Sequence, residues 1–139
     1  MIKKTAIIIS SFLALSSTLF ADEMADKIKV QNQEVVKLAA KELSSQLPQK
    51  IDNFTQLMNI EAKDETLIYT FEINATNKSD DMIIKEDRSR MKKAITEGIC
   101  NSSKKFLENG IYISYTYTSA KSKKELFRFD VSQKDCVKK

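Results

Sequence analysis

Residues 111–131 read IYISYTYTSAKSKKELFRFDV. Ile111, Ile113, Tyr115 and Tyr117 stand two apart, and so do Phe127, Phe129 and Val131. An apolar residue at every second position marks a strand with one buried face, because successive strand side chains point to opposite sides. β-Branched and aromatic residues fill both stretches, which suits a pleated, half-buried surface. The polar run 119–124 between them supplies a turn, so residues 111–118 and 125–131 are expected to form a β-hairpin.

The same period recurs upstream. In residues 66–75, Leu67, Tyr69, Phe71 and Ile73 alternate with Ile68, Thr70 and Glu72. Residues 54–62 repeat the pattern more weakly through Phe54, Met58 and Ile60, and Lys63, Asp64 and Glu65 between the two stretches read as a turn. Two helices are expected around this first hairpin. Residues 26–47 carry an apolar stripe of Ile28, Val35, Val36, Leu38, Ala39, Leu43 and Leu47 at three- and four-residue steps. Pro48 marks its end, since the residue before a proline is disfavoured in helix. The polar break 77–81 offers Ser79, Asp80 or Asp81 as the cap of a second helix. That helix would run to about residue 107, with Met91, Ala94, Ile95, Ile99, Ser102 and Phe106 inward, and stop at Asn109-Gly110.

The order helix, hairpin, helix, hairpin predicts an α+β fold of two αββ units. Their strands would form a four-stranded antiparallel sheet with two helices packed on one face. The halves repeat an architecture and not a sequence.

The chain's start predicts export. Lys3 and Lys4 precede an apolar stretch from 6 to 15, and small and polar residues lead to Ala21. This is the layout of a cleavable signal peptide over residues 1–21, with residues 22–139 as one small exported domain. Ser10, Ser11, Ser16 and Ser17 dilute the stretch too much for a membrane anchor. No integral span is therefore expected after cleavage. The whole chain has 23 basic and 19 acidic residues. Loss of Lys3 and Lys4 leaves 21 against 19, a net of +2. That near balance does not support nucleic-acid binding, which calls for a concentrated basic field.

Two cysteines, Cys100 and Cys136, lie outside the signal. A lone pair in an exported domain predicts one structural disulfide. Closing its loop of about 37 residues stabilises the chain by about 4 kcal/mol in the chain-entropy picture. The pair lacks the Cys-x-x-Cys spacing of a redox site.

No histidine or tryptophan occurs, and the two glycines, Gly98 and Gly110, form no phosphate loop. The commonest general base and metal ligand is thereby missing. No cofactor and no metal are expected. Asp80, Asp81, Glu86 and Asp87 are the one carboxylate group that could serve hydrolysis or bind calcium, but they read better as acids at a positive helix start. Asp22, Glu23 and Asp26 read as a solvated terminus. Three candidate surface features remain. Tyr112, Ile68, Leu126 and Arg128 would share the helix-free sheet face and form a binding surface there. Lys121, Lys123 and Lys124, with Lys134, Lys138 and Lys139 near, would form a basic patch or an edge guard. Asn53, Asn74, Asn77 and Asn101 each open an Asn-x-Ser/Thr triplet. Of these, Glu72-Ile73-Asn74-Ala75-Thr76 resembles the extended acceptor of bacterial N-glycosylation, with an acid two places before the asparagine.

These features favour a non-catalytic periplasmic or secreted accessory protein that binds another envelope or exported protein and helps assembly, secretion or folding. A periplasmic inhibitor or immunity protein shares the same features. A small carboxylate-dependent hydrolase fits them least. Helix-covered antiparallel sheets with one disulfide occur in secretion pilotins and in several immunity proteins. That similarity is of expected architecture only and assigns no function; the chain also lacks the lipid-attachment cysteine typical of pilotins.

Overall fold

The computed structural model describes the backbone of residues 13–136 and the side chains of residues 20–136. The elements are α1 (Leu13–Ser44), β1 (Gln49–Lys50), β2 (Thr55–Lys63), β3 (Thr66–Ile73), α2 (Asp80–Ser102), α3 (Lys104–Glu108), β4 (Tyr112–Ser119), β5 (Glu125–Val131) and a 3-10 turn (Gln133–Cys136). Residues 1–31 and 32–139 form separate compact units. In the first unit an exposed pair joins Lys27 to Glu23 at 3.3 Å. Most of the expected signal, residues 1–21, lies outside the described residues, as do Lys138 and Lys139.

The second unit is α+β, with both expected hairpins present. The sheet differs from expectation in two ways: it has five strands, in the order β1-β2-β3-β4-β5, and it is mixed. β3 and β4 run parallel, from Thr66 opposite Tyr112 to Ile73 opposite Ser119, while the other neighbours are antiparallel. The reason is the connection. β3 leaves the sheet at Ile73, and α2 carries the chain back to where β3 began. The 23-residue helix spans about 34 Å at its standard rise, enough to outrun an eight-residue strand of about 26 Å. A crossover of this kind makes adjacent strands parallel. The fifth strand, β1, holds two residues opposite Gln56 and Leu57, too few for a period to be read.

One sheet face is the core. Register sets Tyr69 beside Tyr115 and Phe71 beside Tyr117, with Phe129 and Phe127 next along. The Phe71 and Tyr117 rings stack at 4.8 Å and 12°. Tyr69–Tyr115 and Tyr117–Phe127 follow at 5.0 and 5.2 Å. Each such pair adds about 0.5–1.5 kcal/mol beyond the area it buries. Val36 and Ala40 of α1, Ile83 and Ile99 of α2, and Leu107 of α3 close over this face in one cluster.

The helices differ in detail from their expected stripes. On α1 the buried row is Asn32, Val36 and Ala40, four residues apart, while Val35, Leu38 and Leu43 are exposed. A polar and a small residue define the inner line, so counting large apolar side chains misplaces it. On α2, Ala94 and Ser102 are exposed. The expected single helix to residue 107 breaks at Ser103, whose φ and ψ of −115° and 24° leave the helical region.

Asn32 joins the two αββ units. Its Nδ2 donates to Glu65 Oε2 at 2.8 Å, in the β2–β3 turn, and to the Asn109 carbonyl at 2.9 Å, beyond α3. Gly110, at φ +82°, completes the turn there; a Cβ on it would stand 3.8 Å from Asn32 Nδ2. Asn32→Leu orphans both acceptors and should cost about 1–3 kcal/mol in denaturant unfolding. Lys37→Ala, on the same helix but solvent-exposed, should change stability by less than about 0.5 kcal/mol.

Burial pushes the Tyr69 phenol up to about 12, and the neighbouring Tyr115 adds to the rise. Tyr115 and Tyr117 are raised as well, in both cases chiefly by burial. An unfolded tyrosine ionises near pH 10. Folding therefore holds phenol protons that the unfolded chain releases. This stabilisation is complete below about pH 10 and is lost as pH rises through the folded values. Phenolate absorbance of the stacked tyrosines should accordingly appear together with loss of near-ultraviolet circular dichroism. Independent titration of Tyr69, Tyr115 and Tyr117 near pH 10 in the folded protein would contradict the buried stack.

Candidate binding groove

The segment between β3 and α2 is fixed by a neighbouring turn. Lys121, at the β4–β5 tip, donates from Nζ to the carbonyls of Thr76 and Lys78 at 3.2 and 3.3 Å. Ser122 Oγ donates to Asp80 Oδ2 at 2.6 Å, and the Ala120 N–H donates to the Ile73 carbonyl at 2.9 Å. Ser79 caps α2, its hydroxyl accepting the Met82 N–H at 3.3 Å. The hydrogen bond from Ser122 leads the effects that hold the Asp80 carboxyl below its usual range.

On the other side, the chain before β2 is turned outward. Asp52 Oδ1 accepts the Phe54 N–H at 2.8 Å, a local side-chain turn typical of aspartate. The Thr55 carbonyl accepts the Ile51 N–H at 2.9 Å, and the Phe54 carbonyl accepts the Asn74 N–H at 2.7 Å. Phe54 beside them is 60% exposed.

Between Phe54 and α2 lies a groove of about 530 Å³. Ile73, Ala75, Ile83, Met91 and Ala94 supply its apolar surface, and Lys78, Asp87 and Arg90 supply its charged margin. Ile83 is only 3% exposed and forms the floor. Glu86 and Asp87 lie 2.9 and 3.8 Å from Lys78 Nζ, and Asp87 lies 2.9 Å from Arg90. The hydrogen bond to Glu86, then the charge of Asp87, raise the Lys78 ammonium above the usual lysine value. An apolar trough with a few polar groups at its edge has the make-up of a recognition site. A larger cavity of about 750 Å³ flanks Cys100 and Cys136, but Lys92, Lys93, Glu97, Lys104 and other polar residues dominate its lining.

The residues singled out from sequence fall differently. Cys100 and Cys136 are bonded, with Cα atoms 5.5 Å apart. Ile68 and Leu126 are each 7% exposed, whereas Tyr112 is 50% exposed and Arg128 is open and paired with Asp130 at 2.9 Å. The four do not make one exposed surface. Leu126 occupies the irregularity opposite Tyr117 and Thr118 and joins the main core. The tip lysines are exposed, and two of them are engaged: Lys121 with the carbonyls of Thr76 and Lys78, and Lys123 with Glu72 at 3.0 Å. Lys124 and Lys134 are exposed. Of the acids near the start of α2, Asp80 is bound by Ser122, and Glu86 and Asp87 are paired with cations. Among the described residues, no group of three or more acids and cysteines is arranged to hold a metal, and no helix is long and apolar enough to cross a membrane. Asn74 is exposed, one residue beyond β3.

The groove itself was not read from sequence. Its only forward signs were Phe54, an aromatic at the start of the weakest strand, and Ala94, counted as core although it faces the trough.

Residues 30–127 match the family described as "Domain of unknown function (DUF8479)". No curated protein matches the chain by sequence. Three solved structures share the fold. A protein described as secreted, from Pseudomonas aeruginosa, aligns with a TM-score of 0.71 and 14% identity over 79% of this chain and 96% of that one. The pilotin EpsS of the Vibrio vulnificus type 2 secretion system aligns at 0.70 and 14%, over 82% and 99%. The type II secretion system pilotin AspS of Vibrio cholerae aligns at 0.64 and 16%, over 81% and 98%.

Lys121→Ala should loosen the β3–α2 segment without unfolding the domain. Amide exchange over residues 74–83 should quicken on the order of fivefold, the equivalent of one net hydrogen bond, while the global unfolding midpoint moves little. Unchanged exchange there would show that the tip does not hold the segment.

Proposed function

This chain belongs to the DUF8479 family, and we propose that it is a non-catalytic helper of envelope secretion or assembly that holds an apolar segment of another exported protein in the Phe54–α2 groove. The observation that carries this reading is the trough itself. Phe54 stands exposed above a buried Ile83 floor, and the charges at the edge are already paired with one another. Such a site offers apolar area with little unpaired charge to desolvate, which favours binding over chemistry.

The fold supports the same reading. Two of the three structural neighbours are pilotins of type II secretion systems and the third is described as secreted. By that likeness the partner is a component of a secretion system, and the working compartment is the cell envelope. The signal layout expected over residues 1–21 and the bonded cysteine pair accord with it. The binding surface proposed here replaces the sheet face of Ile68, Tyr112, Leu126 and Arg128, since two of those four are buried.

A photo-crosslinking residue at Phe54, in the exported protein in its own cells, tests this. The expected result is one dominant adduct, identified by mass spectrometry as a secretion-system protein and reduced at least tenfold by Ala94→Arg. Lys104→Glu, in the polar cavity beside the disulfide, should leave the adduct intact. Thermal unfolding of each variant separates loss of the groove from loss of the fold. An adduct that persists in a folded Ala94→Arg protein, or none in any background, would overturn the assignment.

A further inference from the structure

Among the four Asn-x-Ser/Thr triplets, Asn74 alone has an acid two residues before it. Asn53, Asn77 and Asn101 have Ile51, Ala75 and Ile99 at that place. The structure divides the five-residue sequence 72–76 into two unlike halves. Asn74 and Thr76 are exposed in the segment after β3. Glu72 lies inside the sheet, paired through its backbone with Gln56 on one side and Thr118 on the other. Its carboxylate is held by Lys123 Nζ at 3.0 Å. The next residue is tied too, since the Ile73 carbonyl accepts the Ala120 N–H at 2.9 Å.

We propose that Asn74 is an N-glycosylation site, open while the exported chain is unfolded and closed once β3 enters the sheet. An enzyme that reads an acid and a hydroxyl residue on either side of the asparagine must hold all five residues together. In the folded protein that would require lifting Glu72 out of two strand pairings and off Lys123. The product meets no such obstacle, because a sugar on Asn74 Nδ2 projects from an exposed position. The fold therefore rejects the acceptor and tolerates the modified residue, which places the reaction before folding.

The co-substrate is an oligosaccharide carried on a polyprenyl diphosphate. The Asn74 amide nitrogen attacks the anomeric carbon and forms the C–N bond. The bond from that carbon to the diphosphate oxygen breaks, and the lipid diphosphate departs with its electron pair. One amide proton passes to a base of the transferring enzyme. The sugar would stand near the groove segment 75–78 without replacing any groove residue, so this inference requires export but does not depend on what the groove binds.

The test has two arms. In the first, the full chain is exported in bacterial cells that make a lipid-linked oligosaccharide and an acid-requiring oligosaccharyltransferase, together with a control acceptor protein. Intact mass should show one glycan on the wild type, mapped to Asn74. Asn74→Gln and Glu72→Gln should lose it at least tenfold, and Glu72→Asp should retain it. In the second arm, purified folded protein is compared with the same chain reduced in mild denaturant, with a free acceptor peptide reporting enzyme activity in each condition. The folded chain should react at least tenfold more slowly, and Lys123→Ala should narrow the difference. An unmodified wild type beside a modified control, a glycan on Asn53, Asn77 or Asn101, or equal rates for the folded and unfolded chains would each overturn the proposal.

Discussion

The parallel pairing of β3 with β4 is the constraint on which the rest of the second unit depends. It joins two hairpins that would otherwise be separate, marginal pieces, because an isolated two-stranded hairpin is barely stable in water. The register that aligns Leu67 with Ile113 also aligns Tyr69 with Tyr115 and Phe71 with Tyr117. A one-residue slip would turn every one of these side chains to the opposite face. The aromatic row thus fixes the register while supplying much of the buried area. Long-range closure makes this pairing costly to reach: the strands meet only after α2 and α3 have returned the chain. Asn32 supports the arrangement by binding the turn of one hairpin and the entry to the other with a single amide.

The groove follows from the same topology. Parallel pairing makes β3 and β4 end on the same side of the sheet, so the β4–β5 tip emerges beside the start of α2. There Lys121 and Ser122 find the carbonyls of Thr76 and Lys78 and the carboxylate of Asp80. An antiparallel arrangement would have sent that tip to the opposite end. Two of the exposed tip lysines thus also brace the fold: Lys121 through the Thr76 and Lys78 carbonyls, and Lys123 through Glu72.

What could be read in advance was the part governed by local period. Both hairpins, a helix cap among Ser79, Asp80 and Asp81, the stop at Asn109-Gly110 and the Cys100–Cys136 pair follow from two-residue alternation, turn and capping chemistry and cysteine number. What could not be read depends on three-dimensional pairing. The direction of β4 relative to β3 leaves no trace in the alternation of either strand. The inner line of α1 passes through Asn32 and Ala40, which an apolar count overlooks. Ile68 and Leu126 alternate correctly for an open face yet are buried, Leu126 because an irregularity opposite Tyr117 and Thr118 turns it into the core. The groove gave the weakest signal of all, since its walls come from three separated segments and only their meeting makes a trough.

The second helix is held at both ends, and this bears on how well such a trough can bind. Its start is fastened by the Ser79 cap and the hairpin tip, and its final turns are fastened by Cys100 to Cys136. Ile83 and Ile99 anchor it between those points. A wall fixed in this way loses little conformational freedom when a partner arrives, and that loss is one of the main costs of association. The disulfide lies on the far side of the helix run from Ile83, so it need not touch a ligand to matter for one. Its contribution is to hold the helix that carries Met91 and Ala94, which line the groove together with Phe54. Small buried area can then support useful affinity, because the binding energy is not consumed in ordering the site.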